Sequence, residues 1–82
     1  MRRSIDDDVV PEAPTADPTP PVCWSVGISD DYEDADARVQ LTVEEQGAAG
    51  AGLVLHLDAD RARRLRLAVA SALGELGEDP GR

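Results

Sequence analysis

Residues 53–77 leave this chain the least freedom. Leu53-Val54-Leu55-His56-Leu57 places three leucines on one side of a short strand. After Asp58, Leu65, Val69, Ala72 and Leu76 recur at i, i+4, i+7 and i+11 of a run that only a helix accommodates. Strand and helix each present an apolar face, so both need a partner, and the residues before them are expected to supply it.

Three further patterns sharpen this. Val22, Trp24, Val26 and Ile28 alternate with Cys23, Ser25 and Gly27, the period of a half-buried strand, with Gly27 marking a candidate bulge. Val39, Leu41 and Val43 alternate with Arg38, Gln40, Thr42 and Glu44. The connections are an acidic loop, residues 29–37, and a glycine-rich turn, residues 46–52. Loops this short join antiparallel neighbours, because a parallel crossover needs about a dozen residues. Asp58 suits the helix N-cap, Asp60 the first turn, and Gly77 the position after the last turn, with Pro80 blocking continuation.

The fold class expected is α+β, a three-stranded antiparallel meander with one C-terminal helix packed on one face. Residues 1–21 hold five of the six prolines among Asp, Glu, Thr and Ala, so they read as a disordered acidic arm. Within the arm, Ile5-Asp6-Asp7-Asp8-Val9-Val10 is a segment able to add itself to the edge of another sheet. Residues 22–77 form the domain and 78–82 fray. The expected core is Val22, Trp24, Val26, Ile28, Val39, Leu41, Val43, Leu53, Leu55, Leu57, Ala62, Leu65, Val69, Ala72, Leu73 and Leu76. For about 60 ordered residues that core is thin, which favours burial against a second copy.

With 82 residues, a net charge of −9 and arginine as its only strong base, the chain repels polyanions. Nonspecific nucleic-acid binding and binding to anionic membranes are disfavoured. Cys23 is the only cysteine, which rules out an intramolecular disulfide. The paired arginines at the start precede no apolar run, and no window is long enough to cross a bilayer, so a cytoplasmic location is expected.

Leu67, Ala70, Ser71 and Gly74 lie opposite the Leu65 stripe and are small or apolar, which makes them a candidate interface with another copy. Arg61, Arg63, Arg64 and Arg66 form the only basic cluster. They suit an acidic partner, or the acidic loop of the same or a neighbouring chain. A calcium loop starting at Asp31 fails where geometry is strictest, with Asp36 at the glycine position and Thr42 at the position of the bidentate glutamate. The glycine-rich turn joins two strands and opens no helix, so it cradles no phosphate. His56 with Asp58 sketches a base and its orienter, with Cys23 or Ser25 as nucleophile, but no cleft or oxyanion hole accompanies them. No catalytic residue, metal or cofactor is assigned.

The segment Leu55-His56-Leu57-Asp58-Ala59-Asp60-Arg61-Ala62-Arg63-Arg64-Leu65-Arg66-Leu67-Ala68 resembles the carboxyl-terminal strand-to-helix unit of small uncharacterised domains from high-GC Gram-positive bacteria. There an L-x-L strand precedes a capped helix reading A-x-x-L-x-x-A. The segment is 14 of the 82 residues, and the resemblance implies a fold element and a bacterial context, with no activity attached.

The function expected is that of a non-enzymatic, homodimeric interaction or regulatory protein. Two other classes compete with it. An antitoxin-like or inhibitor protein would mask a basic partner with its acidic arm and co-purify with it. A nucleic-acid binder would use the helix arginines and show steep salt dependence.

Overall fold

The computed structural model describes residues 1–15 and 20–81. Four strands, β1 (Arg2–Val10), β2 (Val22–Ser29), β3 (Arg38–Glu45) and β4 (Leu53–Leu57), precede one helix, α1 (Ala59–Glu75). The strands form one antiparallel sheet in the order β1-β2-β3-β4.

The first half of the arm expected to be disordered is therefore a fourth strand, and the sheet is not three-stranded. Residues 16–19 of that arm, and Arg82 of the tail, lie outside the described residues. Aspartates are poor strand formers, yet here they satisfy the backbone themselves. The N–H of Asp7 donates to Asp6 Oδ1 and that of Val9 to Asp8 Oδ1, each at 2.9 Å. These are alternate residues of an edge strand, and donors occupied in this way blunt the edge against a further strand. The segment 5–10 adds itself to β2 of its own chain.

The bulge lies in β1, with the register shift between Ser4 and Asp6, opposite Gly27 and Val26. Gly27 permits it: a Cβ at that position would stand 2.9 Å from the carbonyl oxygen of Arg3.

The helix ends follow local chemistry. Asp58 Oδ1 accepts the Arg61 N–H at 2.8 Å. At the other end Gly77, at φ 77°, donates its N–H to Gly74 O, and the Glu78 N–H reaches Leu73 O, which is a Schellman motif.

The helix does not roof the sheet. It touches only β3 and β4, and none of its residues is buried. None of the sixteen core candidates is buried either, and the only buried residue among those described is Ser29. The cause lies at the junction. Connections between a strand and the helix that packs on its sheet usually run two to six residues, and here Asp58 is the whole connection, already committed as N-cap in an extended conformation. The helix has no slack with which to turn back.

Two global quantities record the result. The radius of gyration is 14.8 Å, against about 12 Å for a compact chain of this length. The accessible surface is 6622 Å², against about 4,700 Å² for a compact monomer of the same mass.

Candidate functional site

Register assigns every strand residue to one of two faces, and the two are finished differently. On the polar face, Ser29, Arg38 and Arg2 align, as do Gly27, Gln40 and His56. Tyr32 folds over this face from the acidic loop. Its hydroxyl lies 2.9 Å from His56 Nδ1 and accepts from Gln40 Nε2 at 3.1 Å. The Arg38 guanidinium stacks 4.5 Å from the centre of the Tyr32 ring. The same guanidinium donates twice to the carboxylate of Asp34, at 2.6 and 2.9 Å. Those hydrogen bonds, followed by one from the backbone N–H of Asp36, hold Asp34 down at about 2. The loop is pinned further by Ser29 Oγ, which accepts the Asp31 N–H at 3.1 Å, and by the amino group of Met1 against Asp30 and Asp31.

This network rearranges the chemistry that His56 suggested. Its partner is Tyr32, whereas Asp58 serves the helix N-terminus and the guanidinium of Arg61. Cys23 sits across from Glu44 on β3, donating to its carbonyl oxygen at 3.4 Å, and His56 sits across from Gln40. Four residues along the strands, roughly 13 Å, and two strand spacings across the sheet separate the two, beyond the reach of a nucleophile and its base. Among the described residues, no three His, Cys, Asp or Glu side chains converge as a metal site requires.

The other face is apolar and open. Trp24 pairs with Val43 and on to Leu53, Val26 with Leu41 and Leu55, and Ile28 with Val39 and Leu57; Val22 faces Val10. These eleven make a continuous patch three to four strands wide. Leu53 is 80% exposed, and Val43, Leu55 and Val10 are exposed as well. On the β1 side the patch is bordered by two carboxylates, since Asp8 pairs with Trp24 and Asp6 with Val26, and by Arg3 opposite Ile28.

The helix repeats the pattern. The stripe of Leu65, Val69 and Leu76 is exposed, with Ala62 and Leu73 half-buried beside it. Leu67, Ser71 and Gly74 on the opposite side are exposed too, and Ala70 is half-buried. The contrast between a packed stripe and a free second face is absent, since both sides of α1 are open.

The arginines divide into two pairs. Arg61 reaches Asp58 at 2.9 Å and Arg63 reaches Asp60 at 2.6 Å. Arg64 and Arg66 meet no carboxylate among the described residues, and they stand about 100° to either side of Leu65 around the helix. The acidic loop is not neutralised from the helix of its own chain: Asp34 takes Arg38, while Asp30 and Asp31 take the amino terminus.

Sequence reasoning missed the Tyr32 cluster and β1. Nothing in the spacing of Tyr32, Arg38, Gln40 and His56 announces the first, because the pairing of β3 with β4 creates it. For β1 a signal existed in the β-branched residues Ile5, Val9 and Val10, which the three aspartates between them obscure. No helix among the described residues is long and apolar enough to cross a membrane. In comparisons with known proteins, no family model, no curated protein and no solved structure matches this chain.

Proposed function

We propose that this chain is a small, non-enzymatic interaction protein that works as a homodimer through the apolar face of its sheet and its helix. The observation that carries this reading is the apolar face around Trp24, Val26, Leu41 and Leu55, where Leu55 is exposed, the other three are only half-buried, and no hydrophobic side chain among the described residues is fully buried. Soluble monomers seldom expose a contiguous apolar patch of more than a few hundred Å².

The area bears on the class of interface. The surface of 6622 Å² exceeds that of a compact monomer by roughly 1,900 Å². Twice that amount falls within the 2,000–5,000 Å² of obligate homodimers and above that of transient contacts. A net charge of −9 supports a protein partner over nucleic acid, and the ion pairs already made by Arg61 and Arg63 do likewise.

Thermal unfolding at a series of chain concentrations tests the reading. Association stabilises by mass action, so the Tm of a dimer rises with concentration. A Tm independent of concentration, with cooperative unfolding, contradicts it.

A further inference from the structure

We propose that α1 of a second copy covers the apolar sheet face, the two chains exchanging helices about a two-fold axis. This builds on the homodimer reading and names what occupies the open face.

The junction supplies the first argument. A helix whose apolar stripe needs a sheet, and whose own sheet lies beyond the reach of a one-residue connection, can still cover the sheet of a neighbour. Short hinges are the usual setting for exchange of this kind. Asp58 is that hinge, and its cap hydrogen bond to Arg61 fixes the exit.

Dimensions agree with it. The 17 residues of α1 span about 26 Å, and the eight residues of β2 or β3 span about 27 Å. Laid along the sheet, the stripe from Ala62 to Leu76 matches the length of the face it would cover.

Charge supplies an independent argument. Among the described residues, Arg64 and Arg66 have no carboxylate partner, and the carboxylates of Asp6 and Asp8 hold only the N–H of the next residue. The arginines flank the helix stripe, and the aspartates border the sheet patch on its β1 side next to Trp24 and Val26, with Arg3 farther along opposite Ile28. A helix of the partner lying on Trp24 and Val26 brings one arginine flank to that acidic border. Two sheets stacked face to face would instead set the acidic border of one against an apolar face or its own copy, and would leave both helices uncovered.

The test is to lengthen the hinge, inserting Gly-Ser-Gly-Ser between Leu57 and Asp58 so that the cap stays intact. The expected result is a dimeric wild type and a monomeric insertion variant, both with Trp24 shielded from acrylamide, because the freed helix returns to its own sheet. A variant that remains as dimeric as wild type overturns the exchange and leaves the homodimer standing. So does a monomeric variant with Trp24 opened to quencher. A monomeric wild type overturns the homodimer reading itself. As a second measurement, Arg64→Glu with Arg66→Glu should raise the Kd of self-association at least about tenfold, with recovery on mixing with a chain carrying Asp6→Arg and Asp8→Arg. A Kd unmoved by the arginine reversals contradicts the proposal.

Discussion

The two faces of the sheet share strands and register and differ in completeness. On the polar face, a loop from the same chain brings Tyr32 down, and every group it meets answers another: Arg38 takes the ring and Asp34, and Gln40 and His56 take the hydroxyl. On the apolar face no hydrophobic side chain among the described residues is buried, although the chain owns a helix of the right length and pattern. The acidic loop has eight residues, 30–37, in which to fold back, and the helix has one. Connection length, more than composition, decides which surface a chain finishes by itself and which it leaves for a partner.

Breaking the apolar side should have the largest effect. Val26→Asp places a carboxylate at the centre of the patch, and its burial in a dimer costs about 3 kcal/mol or more. Sedimentation should show monomer, while Thr42→Asp on the polar face leaves the dimer in place. If both variants dimerise like wild type, the patch is not the contact.

Gly27→Ala acts between the faces. The new Cβ meets Arg3 O and should push β1 away at a cost of about 1–3 kcal/mol, read from urea unfolding. Hydrogen exchange should quicken in β1 before β3. Asp58→Ala removes the N-cap and should cost about 1 kcal/mol, seen as lower helicity and earlier thermal melting.

The polar side should respond to pH and stay indifferent to association. The carboxyl of Asp34 is depressed, so its pairing with Arg38 is complete above the ordinary 3.8 and is lost as pH falls through about 2. Carbon-13 titration of that carboxyl should give a midpoint near 2, and Arg38→Ala should move it up toward 3.8. The smallest effect is expected from Leu67→Arg, within about 0.5 kcal/mol, because Leu67 lies opposite the stripe that covers the sheet in an exchanged dimer. A monomer produced by Leu67→Arg would instead put the contact on the side with Ala70, Ser71 and Gly74, helix against helix.

Much of this architecture could be read from side-chain periods. β2, β3 and β4 stand where the alternation of Val22 to Ile28, Val39 to Val43 and Leu53 to Leu57 places them, and Asp58 and Gly77 close the helix as their chemistry requires. β1 was hidden because Asp6, Asp7 and Asp8 look like solvated charge. Their value to an edge strand shows only when their carboxylates are seen on backbone donors. The packing of the helix is hidden for another reason. A stripe such as Leu65, Val69 and Leu76 states that a face must be covered and leaves open which chain covers it. The clue was the residue that served as cap, since a capped helix starting one residue after a strand has no loop left.

Sedimentation equilibrium of the unmodified chain is the most direct measurement. An unfinished apolar face requires a mass twice the 8.7 kDa of one chain, with Trp24 protected in the assembly. A single species at 8.7 kDa at every concentration, folded and with Trp24 accessible to solvent, would mean that the face needs no cover and that the central claim is wrong.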